Sequence, residues 1–198
     1  MCSTCASPGC PADLVLLAAR DEYELLDPRG RRRTVIRAGR ELEKNRMSMG
    51  KPMANYAAAK RVGDFVFMSG VVAVDPATRR AVMGYEQIPE EARAALRGLR
   101  YATGQMSVDI FEAPVVAQSW FVLERIRQLA TEHGGTMGDV VKLVQYFRRL
   151  PDYAPYNRVR GLFYPGEPPV STVLEVSGFL PGDEVLVEVE ATMYLPQR

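Results

Sequence analysis

Residues 138–157 read GDVVKLVQYFRRLPDYAPYN and join an apolar strand to the beginning of a helix. The run from Val140 to Arg148 alternates too little between apolar and polar residues for an exposed strand, so it predicts a strand packed beneath helices. Asp152 is placed to cap the helix that follows. One face of that helix carries three large apolar residues, Tyr156, Val159 and Phe163.

Apolar segments on both sides of this stretch predict the remaining strands. Toward the C terminus, Ser171–Ser177 and Val185–Tyr194 are separated by the turn sequence LPGD at residues 180–183. Toward the N terminus, residues 65–74 read FVFMSGVVAV, two apolar runs interrupted by Ser69-Gly70. We therefore expect two strands before the central strand and two after it.

Two helices are predicted between the first strands and the central one. Residues 89–99 begin with a proline and two glutamates, which suit the first turn of a short helix. Pro114 is placed to begin a longer helix that ends at Gly134-Gly135. Four apolar residues share one face of it, namely Val115, Val122, Ile126 and Leu129. The order β-β-α-β-α-β-β, with one extra short helix, predicts an α+β fold with helices packed on one face of the sheet.

The 198 residues suffice for one sizeable domain and an appendage. A change in composition near residue 50 divides the chain into a leader, residues 1–50, and a main domain, residues 51–198. Within the leader, the sequences YELL and RRRTVI flank the turn sequence DPRG. This pattern predicts a β-hairpin over residues 23–36.

The overall composition is that of a soluble globular protein, with 47% hydrophobic and 25% charged residues. Lys and Arg total 25 against 24 for Asp and Glu, so no long-range field attracts a polyanion or an acidic membrane. Nucleic-acid binding is therefore disfavoured. Because no apolar run approaches the roughly 18 residues that a membrane helix needs, we expect a cytoplasmic protein without a membrane partner.

Cysteine and histidine are too few for most metal and redox chemistry. Cys2, Cys5 and Cys10 all lie in the first ten residues, so the fold does not depend on disulfides. Three thiols without a nearby fourth ligand also make a poor zinc site. The single histidine, His133, falls at a predicted helix end, where capping or solvent exposure explains it better than catalysis. We expect no metal and no cofactor.

Several stretches of the main domain resemble the RidA (YjgF, L-PSP "endoribonuclease") family. They are GDFVFMSG at 63–70, VDPAT at 74–78, GDVVKLVQYFRRLPDYAPYN at 138–157, EPPVSTVLEV at 167–176 and VEVEA at 187–191. The resemblance implies a chorismate-mutase-like mixed sheet with helices on one face. It also implies a homotrimer whose small-molecule ligands bind in clefts between subunits. Residues 85–114 form an insertion relative to the family pattern.

Members of that family hydrolyse imines and enamines derived from amino acids to keto acids and ammonia. The family uses an arginine to hold the substrate carboxylate, and this sequence has Ser171 at that position. A one-residue slip would place Val170 there instead. The resemblance therefore points to a divergent subgroup that lacks this arginine, and Arg148, Arg149 and Arg158 are the candidates to replace it.

The other positions of the family site are present. The resemblance assigns ligand contacts to Tyr56, Ser69, Gly70 and Asn157, with Ser171 as a further hydrogen-bonding residue in the altered site. Each has a structural alternative. Core packing explains Tyr56, helix capping explains Asn157, a chain bend explains Ser69-Gly70, and ordinary strand polarity explains Ser171.

Glu188 matches the glutamate that positions water in the family, and strand periodicity singles out the same residue. With a period of two, Glu184, Glu188 and Glu190 face one side of the last strand, opposite the valines between them. Neighbouring carboxylates that are partly shielded raise each other's pKa, which suits a general acid or base. The alternative is a solvated or ion-paired strand face.

Three functions remain open from sequence. The first is a RidA-like hydrolase or deaminase acting on a small imine, enamine or related metabolite, with Glu188 as its catalytic residue. The second is a trimer that binds a small metabolite without turning it over, which the missing arginine favours. An endoribonuclease has the least support, because the near-neutral charge and single histidine provide neither attraction for RNA nor an acid–base pair.

Overall fold

The computed structural model describes the backbone of residues 14–17, 33–37, 40–42 and 107–108, and both backbone and side chains of residues 55–104 and 109–196. The chain divides into two compact units, Met1–Met47 and Ser48–Arg198. Cys2, Cys5 and Cys10 lie outside the described residues.

The first unit contains a three-stranded antiparallel sheet. Strands β1 (Leu14–Leu17), β2 (Arg33–Arg37) and β3 (Arg40–Leu42) follow one another in space as they do in sequence. The hairpin predicted over residues 23–36 stays a prediction; within the described residues, β2 pairs with β1 on one edge and with β3 on the other. Residues 23–32 lie outside the described part of the chain.

The second unit is built on a five-stranded mixed sheet. Its strands are β4 (Ala59–Val62), β5 (Phe65–Val72), β6 (Val140–Phe147), β7 (Val170–Glu175) and β8 (Val187–Tyr194). The spatial order is β4-β5-β8-β6-β7, and all pairs are antiparallel except β6 with β7. The strand order confirms the predicted α+β class, although the two strands predicted within residues 65–74 are the single strand β5 and β4 was not predicted. It also places β8, which carries Glu188, at the centre of the sheet.

Within the described residues, three α-helices accompany this sheet. They are α1 (Glu90–Gly98), α2 (Ser107–Glu132) and α3 (Tyr153–Phe163). Helix α2 packs on β5 and β8, and α3 packs on α2. The four residues predicted to share a face of α2, Val115, Val122, Ile126 and Leu129, are all buried. One face of the sheet is therefore covered by helices and the other is open.

Two boundaries differ from those predicted. Helix α2 begins at Ser107 rather than at Pro114, which lies inside it. A proline removes the hydrogen bond to the carbonyl four residues earlier, and here that residue is Ile110, which is 67% exposed and open to water. The interruption predicted at Ser69-Gly70 is a bulge within the single strand β5, since the register with β8 shifts between Met68 and Val71.

The predicted insertion folds around one buried carboxylate. Asp109 accepts hydrogen bonds from the backbone N–H groups of Ala102, Thr103 and Gly104 at 2.9, 3.0 and 3.1 Å. Ala102 holds a left-handed backbone with φ of 55°, a conformation that costs a non-glycine residue about 1 kcal/mol or more. Asp109 therefore stabilises a strained loop. Burial by itself raises its pKa, but the hydrogen bonds from Tyr85 and Thr103 outweigh burial and lower it.

Asp109→Ala is expected to destabilise the fold by about 2–3 kcal/mol, because several buried donors lose their acceptor. A carboxyl whose pKa is depressed on folding stabilises the protein above its unfolded-state pKa, near 3.8, and loses that contribution as pH falls below it. Urea unfolding at pH 7 should show the full difference from wild type, and unfolding near pH 3 a smaller one. Asp183→Ala, at a carboxylate whose side chain is 91% exposed, is the control and should have little effect. A stability equal to wild type for Asp109→Ala at pH 7 would contradict this account.

Candidate functional site

The carboxylate of Glu188 lies directly over Gly70 on the open face of the sheet. Residues of β8 alternate strictly, with Val187, Val189 and Ala191 buried and Glu188 and Glu190 partly exposed between them. The alternation predicted for these two glutamates is confirmed, while Glu184 is exposed before the strand begins. A Cβ atom built on Gly70 would lie 1.8 Å from Glu188 Oε1. The carboxylate thus occupies the space that any other residue at position 70 would fill.

The bulge at Ser69-Gly70 also anchors the chain before β4. The Ser69 hydroxyl donates to the carbonyl of Ala57 at 2.7 Å, and its N–H donates to the carbonyl of Ala58 at 3.0 Å. These bonds hold the segment that carries Tyr56, a side chain that is 46% exposed. Ser69 therefore has a positioning role, and the core-packing alternative for Tyr56 does not fit its exposure.

The start of β8 is held by a buried side chain that sequence reasoning did not single out. Gln118 on α2 is fully buried, and its Nε2 donates to the carbonyl of Glu184 at 2.7 Å. Its Oε1 accepts from the N–H of Leu186 at 2.8 Å. A glutamine in a helix that is otherwise apolar is the sequence signal for such a contact, because a buried amide needs partners. Gln118 thereby fixes the position from which Glu188 projects.

The two carboxylates of β8 differ in their surroundings. Glu190 accepts a hydrogen bond from the Tyr146 hydroxyl at 3.2 Å, whereas Glu188 accepts none from the described residues. Burial, and then the charge of Glu190, raise the pKa of the Glu188 carboxyl above its ordinary value. A half-buried carboxylate with unused lone pairs and increased basicity can take a proton from water.

Ser171 lies on the other face of the sheet. It pairs with Leu143 across the β6–β7 ladder, whereas Glu188 pairs with Tyr146 across the β6–β8 ladder. Leu143 is fully buried beneath the helices and Tyr146 is not, so the two ladder positions face opposite sides. The side chains of Ser171 and Glu188 therefore do not meet within one chain.

The predicted residue Asn157 lies on the helix-covered side of the sheet, as Ser171 does, and not on the face of Glu188. It is exposed on α3, where its Oδ1 accepts a hydrogen bond from the Tyr153 hydroxyl at 3.5 Å. The predicted cap of this helix, Asp152, occupies the N-cap position without a side-chain capping bond. The six predicted site residues thus do not meet: Glu188 lies over Gly70 next to Ser69, Ser171 and Asn157 lie on the helix-covered side, and Tyr56 lies near Arg125 of α2.

The arginines suggested from sequence as replacements are occupied by carboxylates. Arg148 pairs with Asp183 at 3.6 Å, Arg149 with Asp152 at 3.4 Å, and Arg158 with Glu112 at 3.2 Å. The arginine that contacts Ser171 is Arg160, whose Nη1 donates to the serine hydroxyl at 3.3 Å. Arg160 follows Asn157 by three residues on a helix, so the two residues share a face. This spacing is the sequence signal that could have identified Arg160 as a neighbour of the predicted site residue.

The open face of the sheet exposes large apolar side chains around Glu188. Phe65 is 43% exposed, Phe67 50%, Tyr194 43% and Leu174 41%. Ladder pairing places all four on the side of Glu188: Phe65 is opposite Tyr194, Phe67 opposite Thr192, and Leu174 opposite Tyr146. An apolar surface around a half-buried carboxylate is typical of a face that another protein surface covers.

A separate cavity of about 550 Å³ lies elsewhere, lined by Trp120, Glu124, Arg127, Met137 and Phe163 among others. It contains none of the predicted site residues.

The described residues contain no cluster of His, Cys, Asp and Glu that could hold a metal ion. None of the helices in that part of the chain is long and apolar enough to cross a membrane.

Comparison with known proteins gives consistent matches for the second unit. The family described as Endoribonuclease L-PSP matches residues 95–195. A RutC family protein of Pyrococcus abyssi is 32% identical over 144 residues, which cover 73% of this chain and 89% of that protein. The structure of a putative endoribonuclease from Klebsiella pneumoniae is 52% identical and superimposes with a TM-score of 0.67, covering 71% of this chain and 100% of the other. The crystal structure of RidA from the Antarctic bacterium Psychrobacter sp. is 23% identical with a TM-score of 0.55, covers 74% of this chain and 93% of the other, and shares the fold.

Proposed function

The chain belongs to the RidA (YjgF, L-PSP) family, and on that basis we propose that it hydrolyses a small imine, enamine or related metabolite with Glu188 as the catalytic residue. The observation that carries this proposal is the Glu188 carboxylate, held over Gly70 with a raised pKa and without a hydrogen-bond partner among the described residues. A group of this kind is suited to activate water rather than to stabilise the fold.

The chemistry requires one water per substrate. Glu188 accepts one proton from water as the water oxygen bonds to the imine carbon, and it passes that proton to the nitrogen, which takes the electron pair of the C=N bond, so a neutral carbinolamine forms. Glu188 then takes the hydroxyl proton as the C=O bond forms and passes it to the nitrogen, which leaves as ammonia. The products are a carbonyl compound and ammonia, and Glu188 returns to its starting state.

The proposed cleft needs two copies of the chain. Ser171 and Glu188 lie on opposite faces of one sheet, so a single pocket can hold both groups only if they come from different subunits. The exposed apolar side chains around Glu188 give a surface for such an association. A homotrimer, the usual assembly of the family, is therefore part of the proposal.

Light scattering should give a mass about three times the 22.0 kDa of one chain at micromolar concentration. Phe67→Asp should lower this mass, because it places a charge on the apolar face that the association buries. Ile110→Asp is the control, since this exposed side chain lies on α2, which covers the other face of the sheet. A stable monomer of the wild type would contradict the proposed assembly and the cleft it forms.

One observation favours the second candidate, a trimer that binds a metabolite without turnover. The resemblance places Ser171, or Val170 after a one-residue slip, where the family has the arginine that holds the substrate, so on this reading substrate positioning comes from elsewhere. An endoribonuclease remains the least supported candidate, because the charge is near neutral and His133 is the only histidine.

Keto-acid release from an amino-acid oxidase reaction tests the proposal. The oxidase generates the imine, and the purified protein should accelerate the appearance of keto acid and ammonia above the spontaneous rate. Binding of the keto acid without any acceleration would favour the second candidate. Neither binding nor acceleration over a range of amino-acid-derived imines would set both candidates aside.

A further inference from the structure

We propose that the cavity between helices α2 and α3 is a second ligand site, which binds a neutral, flat aromatic molecule with a hydrogen-bond acceptor on its edge. Its volume of about 550 Å³ lies within the range of small-molecule pockets. None of the residues assigned to imine hydrolysis lines this cavity. The proposal therefore goes beyond the proposed function and does not rest on it.

Three elements of the second unit form the walls of the cavity. The largest contribution comes from α2, whose lining residues are spaced by four, three and four positions and so form one stripe along the helix. They are Trp120, Glu124, Arg127 and Thr131. The short turn Met137–Asp139 and the last residues of α3 close the other sides. Helix α2 thus uses one face for the core and a second face for the cavity.

Most of the wall is apolar, and two of its side chains are aromatic. The ring centroids of Trp120 and Phe163 are 4.9 Å apart, and the ring planes are inclined by 57°. Because the rings are tilted rather than stacked face to face, they form a wedge against which a third ring can pack with its face or its edge. Met137 adds a thioether, which also contacts aromatic rings favourably. The wall therefore favours a flat aromatic ligand over a saturated one of the same size.

The charges of the wall favour a ligand without net charge. Among the described residues, Glu124 is the carboxylate that lines the cavity, and its side chain is only 16% exposed. It accepts hydrogen bonds from Arg127 Nε at 2.7 Å, from Arg127 Nη2 at 2.5 Å and from Gln128 Nε2 at 3.1 Å. A cation would find no free carboxylate here, and an anion would have to compete with Glu124 for Arg127.

The hydrogen-bonding groups that remain unused on the wall are donors. Thr131 Oγ1 donates to the carbonyl of Arg127 at 2.9 Å, and Thr136 Oγ1 donates to Asp139 Oδ2 at 2.9 Å. The Trp120 indole N–H and Arg127 Nη1, by contrast, form no hydrogen bond with the described residues. A carbonyl oxygen or ring heteroatom can accept from such donors. A polyol matches the wall less well, because the threonine hydroxyls already donate within the protein.

The competing account is a surface depression that another protein surface covers. Trp120 distinguishes the two accounts, because it is the only tryptophan of the chain and its fluorescence reports on this cavity alone. In a site open to small molecules, acrylamide should quench the indole in the free protein, and a bound ligand should shield it. An indole that is already shielded without ligand would mean that protein covers the cavity, and it would overturn the proposal.

Coumarin and octahydrocoumarin are suitable probes, because they share a lactone acceptor and only coumarin is flat and aromatic. Titration calorimetry on the full chain should show tighter binding of coumarin by about three- to tenfold. Phe163→Leu keeps an apolar wall without the ring, and it should remove most of this preference. Trp120→Phe keeps a ring without the indole donor, and it should weaken coumarin binding by about three- to tenfold.

Gly138 offers a way to fill the cavity without disturbing the backbone. It lines the cavity, and a Cβ atom built on it would meet the Thr136 hydroxyl at 3.5 Å, which is an ordinary contact. Gly138→Leu should therefore abolish binding of both probes. Gly98→Leu is the matched control, because a Cβ at this position on α1 would meet nothing within 4 Å, and it should bind coumarin as the wild type does.

Three results would overturn the proposal. They are no binding of coumarin by the wild type, equal affinity for the two probes, or unchanged coumarin affinity in Gly138→Leu and Trp120→Phe. Thermal melts separate unfolding from loss of binding, and Phe163→Leu keeps the test decisive if Gly138→Leu does not fold. Glu188→Gln should retain coumarin binding, since Glu188 does not line the cavity. Loss of binding in Glu188→Gln but not in Gly138→Leu would place coumarin in the hydrolytic cleft instead.

Discussion

Replacing Glu188 by glutamine is expected to lower the rate of imine hydrolysis by about 10²–10⁴-fold, the range typical for loss of a general base. Glutamine has nearly the same shape and retains a hydrogen-bonding oxygen, but it cannot take a proton from water. The rate constants for keto-acid release by wild type and variant, at saturating substrate, give the comparison. The loss should appear in kcat more than in KM, because the carboxylate acts on water rather than holding the substrate.

Glu190→Gln is the matched control for this experiment. Glu190 lies two residues away on the same strand face, but its carboxylate is bound by the Tyr146 hydroxyl. Its replacement should change the rate far less than Glu188→Gln does, and it should lower the apparent pKa of Glu188 in the pH–rate profile by removing a neighbouring charge. Equal losses in the two variants would mean that Glu188 has no special role.

Glu188→Gln is expected to stabilise the fold slightly at neutral pH. Burial and the charge of Glu190 raise the pKa of Glu188 in the folded state above the unfolded value near 4.5, so the folded state binds more protons in that window. Stability therefore falls as pH rises from the unfolded pKa through the folded pKa. Because the carboxylate is only half-buried, solvent screening limits the effect at pH 7 to about 1 kcal/mol or less. Melting curves of wild type and Glu188→Gln should converge near pH 4, and a less stable variant at pH 7 would contradict this linkage.

Gly70→Ala is expected to reduce activity by about 10²-fold or more, toward the level of the Glu188 variant, with little loss of stability. The added Cβ would lie 1.8 Å from Glu188 Oε1, so the carboxylate must turn away from the position in which it meets water. A flexible side-chain end can move cheaply, and Gly70 has no positive φ that alanine could not adopt. Activity should therefore fall while the urea midpoint changes little.

A glycine in open space provides the control for Gly70→Ala. A Cβ on Gly98, at the end of α1, would meet nothing within 4 Å, and Gly98→Ala should retain full activity. Wild-type activity in Gly70→Ala would show that the position of the Glu188 carboxylate over residue 70 is not the productive one. Loss of the folded state in Gly70→Ala would point instead to a structural need for glycine in the bulge.

Residues 85–114 show where sequence reasoning lost accuracy. The short helix α1 was predicted from its proline and acidic first turn, but the beginning of α2 was placed at Pro114, seven residues too late. The first turns of α2 depend on Asp109, which is buried by a loop with left-handed backbone at Arg100 and Ala102. Neither residue type favours that conformation, so only contacts distant in sequence reveal it.

The sequence by itself determined the α+β class of the second unit, the buried strand β6 and the alternation of Glu188 and Glu190 on β8. These features follow from hydrophobic periodicity, which is a local property of the chain. The placement of Glu188 over Gly70, the separation of Ser171 from Glu188 on opposite faces, and the contact of Arg160 with Ser171 were decided by tertiary structure alone. Each depends on strand register or on the packing of a helix against a strand, and register joins residues whose distance in sequence carries no local signal.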